Sequence, residues 1–339
     1  MRTVSILLLF FSLISFSCLT PDANSENKQL ADSLIVKDTI PGMPNMPDTI
    51  TADTALFHLR LKAIFHNKPA GAWMPDTSYP LAGAILPYKR IIAYYGNFYS
   101  KGMGILGQLP PDEMLVKLRE EVKKWEQADS LTPVQPALHY ITVTAQGRAG
   151  KDKKFRLRMP FHQIDKAIEL AKSIEAIIFL DIQVGHSTLQ QEIPLLEKYL
   201  LMPNVHLGID PEFAMKGEQV PSGVIGTLDA ADINYASEYL SGLVQQYHLP
   251  PKILVVHRFT NGMVTNYKKI INHPQVQIVM NMDGFGIAAK KINSYKLAIV
   301  NQPVQFTGFK IFYKQDLPKI MEPFEILKLY PQPVYIQYQ

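Results

Sequence analysis

From residue 90 to residue 339 the chain alternates short apolar runs with longer amphipathic stretches. The apolar runs fall at 90–97, 137–145, 176–185, 205–213, 252–259, 276–283, 306–313 and 334–339. Stretches of helical character lie between them at 112–128, 161–174, 187–201, 229–247, 264–272, 285–295 and 324–330. Alternation of this kind means parallel strands joined by crossover helices. Eight such strands in about 250 residues is the count that closes a barrel. The competing architecture, a doubly wound open sheet for dinucleotides, carries a glycine-rich turn leading straight into a helix. Gly102, Gly104 and Gly107 lie in a loop that no helix follows at once. The pattern predicts an α/β fold, a single (β/α)8 TIM-type barrel over residues 88–339, preceded by a signal peptide and a flexible tether.

Ahead of the barrel, Phe57, Leu59, Leu61, Ala63 and Phe65 alternate with His58, Arg60, Lys62 and His66, with Ile64 the exception. A period of two predicts an extended segment, and residues 53–87 are assigned to one that packs on the barrel. The same period sorts the barrel strands into two faces. Val205, Leu207 and Ile209 should meet the outer helices, leaving His206, Gly208, Asp210 and Glu212 inward. By the same rule Phe179, Asp181 and Gln183 point inward, as do Val279, Asn281 and Asp283, and Val255 with His257. Gly308 and Lys310, then Tyr335, Gln337 and Gln339, complete the inner set; Tyr140, Thr142 and Thr144 are assigned inward on the second strand. The first strand ends at Tyr95 and Asn97. Polar inner residues crowd toward the C-terminal ends of the strands, the rim where barrel enzymes carry their chemistry.

The first residues change the picture of where the barrel works. Arg2 precedes an almost unbroken apolar run from Val4 to Phe16, then Ser17 and Cys18. That is a secretory signal, assigned to residues 1–17, and it is too short for a stable membrane span. Cys18, the chain's one cysteine, sits where a bacterial lipoprotein is cleaved and acylated. Residues 18–52, rich in Pro, Asp, Thr and Ser, read as a lipid-anchored tether, because such a segment has too little apolar surface to bury. The expected location is the bacterial cell envelope, membrane-anchored, with no disulfide to support the exported domain. A formal charge of +4 over 339 residues is mild, and the densest basic cluster (Lys151, Lys153, Lys154, Arg156, Arg158) reads as a solvated loop. Nucleic acid is not an expected partner, since its binders concentrate positive charge on one face.

Four rim carboxylates carry the candidate chemistry: Asp181, Asp210, Glu212 and Asp283. Glycoside hydrolysis needs two carboxyl groups flanking the scissile bond, one protonated as acid and one ionised. Glu212 is assigned as general acid, with Asp181 or Asp283 as its ionised partner. Asp210, two positions before Glu212, is assigned a tuning role, because like charges in proximity raise a pKa. Tyr95, Asn97, Gln183, His257, Asn281, Lys310 and Gln337 are assigned to substrate binding, and Tyr94, Trp73 and Phe285 are candidates for stacking on a sugar ring. A metal-dependent hydrolase is an alternative, with Asp181, Asp210, Glu212, His257 and Asp283 as hard-oxygen and imidazole ligands. The usual zinc spacings are missing, so neither a metal nor another cofactor is expected. A second alternative is a lipoprotein that binds a glycan or other small molecule without cleaving it, its carboxylates paired with Lys310 or Arg258. No Gly-x-Ser-x-Gly turn supports a serine nucleophile. Ser187 after Gly185 and His186 fits a helix cap, as does Asp229.

Segments 94–108 (YYGNFYSKGMGILGQ), 180–187 (LDIQVGHS), 206–213 (HLGIDPEF), 224–234 (VIGTLDAADIN), 250–259 (PPKILVVHRF) and 282–286 (MDGFG), with the terminal YIQYQ, resemble a family of secreted bacterial proteins of uncharacterised activity. The resemblance covers roughly residues 88–339 and implies no reaction. More distantly, Asp210-Pro211-Glu212 on the fourth strand and Met280-Asn281-Met282-Asp283 on the sixth are similar to chitinase-like glycoside hydrolases. That resemblance implies an acid at the end of strand four, the position of Glu212. The family's longer aspartate run and its strand-six tyrosine are absent here.

Overall fold

The eight apolar runs form eight parallel strands: β1 (Arg90–Gly96), β2 (Val134–Ala145), β3 (Ile177–Ile182), β4 (Val205–Ile209), β5 (Lys252–Arg258), β6 (Val276–Met282), β7 (Phe306–Ile311) and β8 (Tyr335–Tyr338). Each pairs with its neighbours in sequence, and β8 pairs with β1 to close the ring. The barrel is seen in a computed structural model, which describes residues 53–70 and 80–339. The described residues all belong to one compact unit, Met46–Gln339. The assigned signal peptide, Cys18, the tether and Trp73 lie outside them.

Strands such as β5 (KILVVHR) and β6 (VQIVMNM) are buried along their whole length, as expected where helices cover one face and side chains fill the other. Helix α1 (Thr54–Ile64) precedes the barrel. Around the barrel lie α2 (Pro111–Ala128), α3 (Phe161–Lys172), α4 (Leu189–Glu192), α5 (Glu197–Leu200), α6 (Ala230–Tyr247), α7 (Ala288–Ser294) and α8 (Pro323–Ile326). Helix α2 begins with Pro111 and two acidic residues in its first turn, both favourable there, and buries Met114, Leu115, Leu118 and Trp125. Asp229 caps α6 as expected, in a reciprocal box with Asp232.

Four local readings need correction. Residues 54–64 are helical, not extended: Phe57, Leu61, Ile64 and Phe65 share one helical face, whereas Leu59 is 62% exposed. The 3.6 period and the Asp53 cap, which accepts from the Leu56 amide at 2.9 Å, outweigh the accidental alternation. Residues 264–272 form no α-helix, only a 3-10 turn over Tyr267–Lys269. Asn266 takes a left-handed conformation, and Thr265 and Asn266 both bond Asp229 Oδ2 at 2.6 Å, latching the segment to the start of α6. The stretch 187–201 is divided at Pro194, and its cap is Thr188 rather than Ser187. Finally, β4 stops at Ile209, and Pro211–Phe213 is a single 3-10 turn.

Candidate active site

The inner face of the barrel carries the polar set that the period of two selects. Phe179 lies low on β3, its ring stacked on His139 with 5.1 Å between centroids and 10° between planes. Two positions up the same strand, Asp181 is fully buried. Its Oδ1 lies 3.1 Å from His139 Nε2 and 3.4 Å from His257 Nε2, and its Oδ2 accepts from the Tyr95 hydroxyl at 3.2 Å. The far nitrogen of each imidazole is also held. His139 Nδ1 meets the Tyr335 hydroxyl at 2.6 Å, and His257 Nδ1 meets Asp283 Oδ2 at 2.8 Å. Lys310 then bridges to Asp283, 3.0 Å from Oδ1 and 3.1 Å from Oδ2, with its ammonium 3.8 Å from the Tyr95 ring centroid. Gly208 makes this crowding feasible: a Cβ there would overlap Asp181 Oδ1 and His139 Nε2.

Charge separates the carboxyls into two kinds. Burial alone would raise Asp181, but His257 and His139 outweigh it and hold the group far below the usual carboxylate range. Burial would likewise raise Asp283, and Lys310 with His257 brings it below its ordinary value. Burial lowers His139 to about 4 despite Asp181, so that ring is neutral. His257 goes the other way: burial opposes its charge, yet Asp181 and Asp283 lift it to about 10. Glu212 is pushed up to about 7, first by burial and then by Asp283, against Lys310 and His257. Burial also raises Asp210 strongly, with Glu212 and Asp181 adding to it against His257.

The predicted site residues divide accordingly. Asp181, His257, Asp283, Lys310, Tyr95 and Gln183 are brought into one network. Gln183 donates toward the Tyr95 hydroxyl at 3.3 Å and Asp210 Oδ2 at 3.4 Å. Asp210 acts on Glu212 through the backbone: its Oδ1 accepts from the Glu212 amide at 3.1 Å, capping the turn that presents the glutamate. Glu212 is half-buried at the rim, and among the described residues its carboxyl makes no hydrogen bond. Asn281 and Gln337 are fully buried inner residues; both amide atoms of Asn281, and Gln337 Oε1, lack a hydrogen-bond partner. Asn97 is spent on structure, donating to the Ile141 carbonyl at 2.9 Å and accepting from the Tyr99 amide at 2.8 Å. His257 is sealed within the ion network rather than presented to a substrate. Tyr94 faces outward and is buried, its hydroxyl 3.1 Å from that of Tyr313, so it offers no sugar platform. Phe285, two residues after Asp283, is 55% exposed. Arg258 is bonded to the carbonyls of Thr260, Asn261 and Val264, not to the rim acids.

His139 and Tyr335 complete the network, and only Tyr335 belongs to the inner set read from sequence. The alternation assigned to β2 put Tyr140 inward. In the structure Tyr140 packs against Phe98, and His139 pairs in register with inward Tyr95 and Phe179. A bulge between Ile141 and Val143 shifts the pairing, so parity carried back from Thr144 gives the wrong face below it. Compared with protein-family models and with curated proteins, the chain matches none.

Proposed function

We propose that the rim is the active site of a glycoside-hydrolase-like protein at the cell envelope, acting on a cell-wall or environmental glycan. The observation that carries this is the contrast between two neighbouring carboxyls. Glu212 stands half-buried without a hydrogen bond, whereas Asp283 is fixed by Lys310 and His257. One is suited to hold a proton near neutral pH and the other to stay ionised, the division of labour that glycosidic cleavage needs. Glu212 donates its proton to the leaving oxygen as the glycosidic C–O bond breaks. Asp283 supplies the negative charge that stabilises the developing oxocarbenium ion, and water completes the hydrolysis. Asp181, sealed beneath, serves as the anchor that keeps His257 charged and Asp283 in place. Phe285 offers an apolar face for a sugar ring. Cys18 would carry the lipid that keeps the barrel at the membrane, which labelling with a radioactive fatty acid in wild type and Cys18→Ser checks.

The test is release of reducing ends from a panel of polysaccharides and peptidoglycan fragments. Glu212→Gln should lower kcat by roughly 10²–10⁴-fold with little change in melting temperature. Activity should fall as pH rises through about 7, where Glu212 loses its proton. Unchanged turnover in Glu212→Gln would remove the assignment. The Asp283–Lys310 pair favours a second reading, a binding lipoprotein that retains its glycan intact. Saturable binding with no product from any substrate would select it.

A further inference from the structure

We infer that His139, Asp181 and His257 form a binding site for a divalent transition-metal ion of the zinc class at the floor of the barrel mouth. Among the described residues this is the one group of three or more His, Cys, Asp or Glu side chains whose candidate ligand atoms converge, all within 4.8 Å of one another. Two edges of the group have the right length. Tetrahedral bonds of about 2.0–2.2 Å set neighbouring ligand atoms roughly 3–4 Å apart. His139 Nε2 and His257 Nε2 lie 3.1 and 3.4 Å from Asp181 Oδ1. The rings themselves stand nearly perpendicular with centroids 5.4 Å apart, so both Nε2 atoms reach the carboxylate without stacking.

Three further observations point the same way. First, each ring is oriented by a partner on its other nitrogen, Tyr335 for His139 and Asp283 for His257. That is the arrangement by which proteins fix ligating histidines and raise their basicity. Second, His257 Nε2 is fully buried and, although 3.4 Å from Asp181 Oδ1, has no hydrogen-bond partner. A buried nitrogen held only by a long ion pair is one that a closer partner would satisfy better. Third, Asn281, in register with His257 on the next strand, is buried with both amide atoms unpartnered, a further inner polar group that the protein itself leaves unsatisfied. Two imidazoles and a carboxylate suit zinc, cobalt or iron better than magnesium or calcium, which prefer oxygen. The sequence hid the site because His139 lies below the β2 bulge and the ligands come from three separate strands, at spacings no local motif records.

The site uses none of the residues assigned to proton donation at the rim, and it stands whether or not the barrel cleaves glycans.

The experiment is metal binding by the full chain purified without chelators, using Zn²⁺ and Co²⁺ as probes. Elemental analysis should give one ion per chain, and calorimetry a raised melting temperature over the chelator-treated protein. His139→Gln and His257→Gln should each weaken Zn²⁺ binding at least tenfold, whereas Glu212→Gln should bind it as wild type does. Where a histidine variant does not fold, anomalous diffraction from wild-type crystals grown with Zn²⁺ decides: a peak bonded to both Nε2 atoms and Asp181 is expected. Absence of stoichiometric uptake by folded wild-type protein, or a peak only elsewhere, overturns the site. So does affinity that survives both histidine substitutions. Absence of any hydrolysis by wild-type protein with intact metal binding would count against the rim reading alone.

Discussion

Gly208 shows how narrowly single positions set this site. A methyl group there would overlap Asp181 Oδ1 and His139 Nε2, two groups held on every side and unable to retreat into solvent. Gly208→Ala is expected to destabilise the fold by about 1–3 kcal/mol through overpacking, read as a lowered midpoint in urea. Because the residue lies between two of the three ligand strands, β3 and β5, the same substitution should weaken any ligand of the floor more than it weakens the fold. A midpoint within error of wild type would mean that the floor can relax, contrary to the packing described. At this scale the sequence was largely legible. A period of two placed Asp181, Gln183, Asp210, His257, Asn281, Asp283, Lys310 and Gln337 inward without any alignment. It failed at His139, because an extra residue in a strand is invisible to a parity rule. It also could not tell Asp181 from Asp283 as partner to Glu212. That distinction depends on which carboxyl Lys310 reaches, a contact between strands β6 and β7.

Between elements, the clearest unit is the clasp around Glu192. A short strand, Arg156–Arg158, returns antiparallel to the end of β2 and sends Arg156 and Arg158 onto the buried carboxylate at the end of α4. Arg156 Nε donates at 2.8 Å and Arg158 Nε at 2.6 Å, with the Ser187 hydroxyl on the same group. The basic cluster read as a solvated loop is thus partly a structural clamp. Burial would raise Glu192, but hydrogen bonds from Arg158, Ser187 and Arg156 hold it below its ordinary 4.5. Its folded value lies under the unfolded one, so its stabilisation is present above about 4.5 and lost as pH falls through the folded value. Glu192→Gln should cost about 1–3 kcal/mol at neutral pH, discounted because Arg158 is partly exposed. The gap to wild type should close in acid, as chemical denaturation at a series of pH values would show; a gap constant with pH would put the loss down to packing. Element types were harder to read than strand positions. Helix α1 and the β5–β6 connection were both misread, the first from a chance alternation over nine residues. The second fails as a helix because Asp229, far along the chain, competes for Thr265 and Asn266.

Across the whole molecule, closure of the ring is what converts eight marginal strands into a rigid floor for the rim. β8 is only four residues long, yet it pairs with both β1 and β7 and supplies Tyr335 and Gln337 to the interior. Its last tyrosine, Tyr338, accepts from the Trp125 indole at 3.0 Å and so ties the barrel to α2. Closure was readable from the count of apolar runs, since eight is the number that leaves no edge. Without β8, β1 and β7 become open edges, and His139 loses the Tyr335 hydroxyl that orients it. Ending the chain after Pro333 should therefore abolish cooperative melting and near-ultraviolet circular dichroism, not merely shift the midpoint. Removing residues 1–52, read from the sequence as leader and tether, is the matched control and should leave the midpoint unchanged. If the chain lacking β8 still melts cooperatively near the wild-type temperature, the seven remaining strands suffice, and the floor is held by helix packing rather than by the closed ring.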